Sequence, residues 1–139
     1  DEKYAVQVAK HDYQPQEEKK FMGAVQTKYV KKNWSSVMLF NCGHPSNKQI
    51  NTSVVNDTNI TGKYLHRFSW LKDSEIGELP KDWNYLVGWY DDGTPRALHY
   101  TEGGPWFKNY RHCEYGDIWK NYLAEMMKKY LLPQKKVTL

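Results

Sequence analysis

The chain has 139 residues, one domain's worth, and its 40% hydrophobic and 26% charged residues make an ordinary soluble-protein composition. The net charge of +4 is mild and comes largely from Lys19-Lys20, Lys31-Lys32 and the final segment, so charge gives no support to nucleic-acid binding. The longest fully apolar run, Val37 to Phe40, falls far short of the roughly 18 residues needed to cross a bilayer, which excludes a membrane span.

Aromatic residues are unusually frequent at 15%, with six Trp and eleven Tyr. Flat rings with a polar handle suit a core, and they equally suit a face on which sugars or bases stack. Cys42 and Cys113 form no Cys-x-x-Cys pair, so reduced thiols and a cytoplasmic location are the expectation.

In chain order, residues 3–9 predict a strand. Residues 10–32 are polar, interrupted by Pro15, and read as a long surface loop. Asn33 to Cys42 is the most strand-like stretch. Its nearly continuous apolar run predicts a strand covered on both faces. Ser35 and Ser36 are small enough to serve packing or to let a ligand lie against the backbone. Pro45 to Asn56 predicts a short helix with Ser46 as N-cap, and Thr61 to Leu71 a second one.

Residues 72–86 read as irregular, a kind of turn whose backbone needs side chains to satisfy it, and Asn84 suits that role. Two short strands, 86–90 and 97–100, flank Asp91-Asp92-Gly93, whose Asp-Gly step predicts a hairpin. Asp91-Asp92 reads as a turn rather than a metal site. The second strand delivers His99 into Gly103-Gly104-Pro105-Trp106. That loop reads two ways. It is either a tight turn closed by Pro-Trp packing, or a place where bare backbone meets a ligand and an imidazole meets a metal. The last element is the clearest: Ile118, Trp119, Tyr122, Leu123, Met126, Met127 and Tyr130 mark a helix over 117–131. Asp117 would cap it, Pro133 would stop it, and the apolar stripe would pack into the core. Residues 134–139 read as a frayed tail.

The fold expected from these elements is mixed α/β in a single domain over 1–139. A small sheet would use the strands near 3–9, 33–42, 86–90 and 97–100, with the last helix packed on one face. Four segments taken together, Asn33-Trp34-Ser35-Ser36 with its strand, Leu65-His66-Arg67-Phe68, Ile76-Gly77-Glu78-Leu79-Pro80 with Asp82-Trp83-Asn84, and the His99 loop, resemble a known family. They are similar to the carboxy-terminal half of bacterial and phage glycosyltransferases of the GT-A fold, themselves distantly similar to glycogenin and the lipopolysaccharide galactosyltransferases. The resemblance spans about residues 4–119.

It implies transfer of a sugar from a nucleotide-diphosphate sugar to a glycan or other acceptor, with a divalent metal, Mn²⁺ or Mg²⁺, in the full-length enzyme. By the same resemblance His99 is the metal ligand, Gly103, Gly104 and Trp106 hold the diphosphate, and Ser35, Ser36, Asp73, Trp83 and Asn84 line the sugar and acceptor pocket. It indicates no catalytic residue to nominate. The family's Asp-x-Asp motif is missing from the 139 residues, so the chain alone is expected to be inactive. It is also expected to bare a sheet edge through which copies could associate. Two other classes stay open. One is a non-catalytic carbohydrate-binding module with Trp70, Trp83, Trp89 and Trp106 as a stacking platform. The other is a small structural or interaction domain whose rings are all core.

Overall fold

The structure, a computed structural model, describes residues 1–130. The expected helix end at Leu131, the stop at Pro133 and the tail at 134–139 lie outside the described residues. The chain is a small mixed α/β protein with two separate short sheets. A GT-A arrangement is not shown.

The first sheet has three strands, β1 (Val6–Val8), β2 (Met38–Phe40) and β3 (Ile76–Glu78), in the order β2-β1-β3. β1 pairs antiparallel with β2, Val6 opposite Phe40, and parallel with β3, Val6 opposite Ile76. Its valines are buried, and Ala5, Val6, Val8 and Ile76 join Phe68, Trp70 and Leu71 in the hydrophobic core. Gly77 is required in β3 because a Cβ there would run into the Tyr4 ring. Asn47 ties the next segment to the sheet, its Nδ2 donating to the Ala5 carbonyl (2.7 Å) and its Oδ1 accepting from the Trp70 indole (3.3 Å).

Several expectations are corrected here. β2 is an edge strand, and Met38, Leu39 and Phe40 are 43%, 55% and 39% exposed rather than covered on both faces. Ser35 and Ser36 lie outside it, in a 3-10 turn over Trp34–Ser36. β3 falls within the stretch that reads as irregular. The helix expected over 45–56 is divided into a 3-10 turn, Pro45–Gln49, and α1 (Thr52–Asn56). The first is capped by His44 and the second by Asn51, with no cap from Ser46. α2 (Gly62–His66) is shorter than expected, with Thr61 accepting from the Tyr64 amide. Residues 10–32 are largely exposed, but His11, Tyr13, Pro15, Gln26 and Lys32 are buried within them.

The second sheet holds β4 (Tyr85–Leu86) and β5 (Leu98–His99), paired in parallel, Tyr85 opposite Leu98 and Leu86 opposite His99. An Asp-Gly hairpin would have made them antiparallel. The chain instead reverses twice. It turns first after Leu86, whose carbonyl accepts from the Trp89 and Tyr90 amides, and again through Gly93 at φ +106°. Arg96 and Ala97 then both donate to the Asp82 carbonyl, which sets β5 running alongside β4.

α3 (Gly116–Tyr130) occupies the expected span, with Asp117 in its first turn bonded to Lys120. Its apolar stripe, however, does not enter the core. Ile118, Tyr122, Met126, Met127 and Tyr130 are all 45% exposed or more. Among the described residues, no helix is long and apolar enough to cross a membrane.

Candidate functional site

A 3-10 turn over Lys81–Asn84, opened by Pro80, drives Asn84 into the interior, where it is 1% exposed. Its amide spans three segments of chain. Nδ2 donates to the Asn33 carbonyl (3.1 Å) and to Ser36 Oγ (2.8 Å). With both donors used, Oδ1 is left to accept from His99 Nδ1 at 3.1 Å. This network assigns the tautomer of His99: the proton sits on Nδ1 and the lone pair on Nε2. Among the described residues Nε2 has no hydrogen-bond partner, and it is not sealed from solvent. Burial, and then the positive charge of Lys20, hold the His99 pKa below its ordinary value, so the ring is neutral at pH 7.

Asn33 supports this ladder in a left-handed conformation, φ 65°, which suits asparagine, with its Nδ2 donating to Thr101 Oγ1 (3.0 Å). The loop after His99 is built by packing. A Cβ on Gly104 would strike the Trp106 ring, and one on Gly103, at φ 151°, would lie 2.8 Å from the Tyr110 ring. Both glycines are buried, so the close approach they permit is that of aromatic rings, and no ligand is needed to explain them. Trp106, half exposed, lies edge-on to Tyr100 (centroids 5.8 Å apart, 80°) and meets Trp119 of α3 at 5.4 Å. Between these rings and the ladder lies a cavity of about 490 Å³, lined by Ser36, Val37, Asn84, His99, Tyr100 and Trp106 among others.

Of the residues singled out in the sequence, Ser36, Asn84, His99 and Trp106 converge on this cavity. Ser35 does not; its hydroxyl faces His66 Nδ1 (3.2 Å) at a different depression with Met38 and Leu65. Asp73 is exposed and bound to Lys31 (2.7 Å). Trp83 lies under the Arg96 guanidinium, 5.4 Å from ring centroid to guanidinium carbon. The proposed platform of four tryptophans does not form. Trp70 is core and Trp89 packs edge-on against Tyr13 (4.9 Å), so of those four only Trp106 reaches the cleft. Sequence reasoning nominated none of Asn33, Tyr100, Thr101 and Trp119 as site residues, although Tyr100 and Thr101 lie in the strand and bend that deliver His99. Asn33 reads as the start of a strand and Trp119 as part of the apolar stripe of the last helix.

A second imidazole, this one buried, lies nearby. His11 is 6% exposed, its Nδ1 2.7 Å from the Tyr90 hydroxyl and its Nε2 without a partner. Burial, and then the His99 ring, lower its pKa to about 4.

A curated protein of Arabidopsis thaliana, Protein CDI, is 50% identical over 135 residues, covering 93% of this chain and 51% of that protein. The chain thus spans about half the length of the curated relative it matches. No protein-family model matches the chain, and no solved structure does. The relative does not bear the name of a glycosyltransferase, and this overturns the glycosyltransferase resemblance and the sugar transfer expected from it. The expectation of metal binding is corrected as well. Among the described residues no group of three or more His, Cys, Asp and Glu could hold an ion, and the neighbours of His99 are amide and hydroxyl groups.

Proposed function

We propose that the chain is a non-catalytic binding module for a neutral carbohydrate, held in the His99 cleft without a divalent metal. The observation that carries this reading is one junction. The Ser36–Asn84–His99 ladder leaves a neutral Nε2 acceptor without a partner, on a ring that lines the same cavity as the half-exposed Trp106 indole. A sugar ring presents an apolar C–H face and hydroxyl edges, and this cleft offers a flat ring for the first and an acceptor for the second. A purely structural domain calls for dry tryptophans and no convergence of polar groups at His99, and both features count against it here.

Affinity electrophoresis or calorimetry of the chain with neutral oligosaccharides, in the presence of EDTA, tests the reading. Binding should persist in chelator and need no nucleotide. It should weaken about tenfold or more in Trp106→Ala, where a stacking face is lost, and in His99→Ala. Trp83→Ala, outside the cleft, should bind as the parent does. Binding that requires a metal, that ignores Trp106→Ala, or that is absent at millimolar sugar would overturn it.

A further inference from the structure

We infer that a second cavity, between α3 and the segment 95–100, binds a flat apolar anion, an aryl carboxylate. The cavity has a volume of about 430 Å³, within the range of small-ligand sites. Its walls are rings and aliphatic groups from Leu98, Tyr100, Tyr115, Ile118 and Tyr122, and its one charged lining residue is Arg96. The side chains are held by their neighbours. The Tyr100 hydroxyl donates to the Tyr115 carbonyl at 2.9 Å, and the Tyr115 ring stands at 89° to that of Tyr85, centroids 5.9 Å apart. Such walls form a slot for a planar ring, which they can meet face-on or edge-on.

Arg96 decides the charge of the occupant. Among the described residues it forms no ion pair, and no acidic side chain lines the cavity. Its guanidinium is steadied against the face of Trp83, a contact that leaves its N–H edges available. A planar fork of donors beside an apolar slot matches a carboxylate carried on an aromatic ring, with the ring in the slot and the two oxygens on the guanidinium. The inference does not rest on the carbohydrate reading. Arg96, Ile118 and Tyr122 do not line the His99 cleft, although Leu98, Tyr100 and Trp119 form a wall common to both cavities.

The test is a titration of the full chain with 2-naphthoate and with its neutral analogue 2-naphthylmethanol, followed by NMR of the aromatic side chains. Arg96 is solvent-exposed, so the acid should bind about threefold more tightly than the alcohol, the worth of one exposed ion pair. Arg96→Gln should remove that preference while leaving the alcohol's affinity unchanged, and Ile118→Asp, placing a like charge at the slot, should weaken the acid selectively. Tyr122→Ala should weaken both ligands, and His99→Ala neither. Equal binding of acid and alcohol, a preference that survives in Arg96→Gln, or no shift at Tyr100 and Tyr115 at millimolar naphthoate would overturn the inference.

Discussion

The apolar side chains around β1 and those along α3 end in opposite surroundings. Val6, Val8 and Phe68 are 0% exposed, whereas Ile118, Tyr122, Met126, Met127 and Tyr130 range from 45% to 70%. The first group is closed in because β1 is hydrogen-bonded on both edges, with Phe68, Trp70 and Leu71 packed against it. α3 instead meets the rest of the described chain chiefly at its beginning, where Trp119 touches Trp106. Apolar periodicity therefore reports which face of an element could be buried, and a second element must be present before that face is buried. The His99 cleft lies where these two regimes meet, buried and hydrogen-bonded on the Asn84 side and open on the Trp106 side.

The contrast can be broken most forcibly at the core. Phe68→Ala should cost about 4 kcal/mol, since it removes a fully enclosed ring, while Met126→Ala on α3 should stay within about 0.5 kcal/mol. Denaturant melts of the two variants make the comparison, and similar losses in both would show that α3 is as closely packed as the sheet.

Acid should act next, and on the enclosed side. The folded-state pKa of His11 lies at about 4 against 6.5 for the free side chain, so between those values the unfolded chain binds the extra proton and the folded chain does not. Stability should be full above pH 6.5, fall as the pH drops from there toward 4, and lose about 3 kcal/mol in all. The depressed pKa of His99 acts in the same direction. His11→Gln should flatten most of that slope in melts run from pH 7 to pH 4.

A smaller effect sharpens the comparison at the cleft itself. Asn84→Ala leaves His99 Nδ1 without its partner and leaves the Asn33 carbonyl and the Ser36 hydroxyl only their bond to each other, and should cost about 2 kcal/mol. It should also free the His99 ring to change tautomer, which Phe68→Ala would not do directly. Thermal melts read the first effect and ring NMR the second.

The sequence made parts of this arrangement legible. The span of α3 follows from its spacing, and the need for Asn84 to satisfy a buried turn follows from the irregular stretch around Pro80. His99 at a strand end followed by a bend was also readable. Burial was not. The run Val37 to Phe40 reads as doubly covered, but β2 is an edge, and no property of that run reveals how many neighbours it has. β3 escaped because three residues centred on a glycine carry no strand pattern, and their place is set by Tyr4 and β1 across the sheet. The parallel pairing of β4 and β5 escaped because two successive reversals look, in sequence, like one. Gly103-Gly104 was ambiguous for the reason the structure exposes: a ring and a ligand make the same demand for a missing Cβ. The order of four motifs led to a family that the comparison with known proteins does not support, since short aromatic and glycine-rich segments recur wherever rings must pack.

The most direct measurement is the long-range ¹H–¹⁵N NMR spectrum of the His99 ring at pH 7, recorded with and without a neutral oligosaccharide. The account predicts a neutral ring protonated at Nδ1 with a bare Nε2, and a selective shift of that Nε2 resonance toward the hydrogen-bonded range as the sugar is added. A ring protonated at Nε2 in the free protein, or an Nε2 resonance unmoved by a sugar that binds, would contradict it.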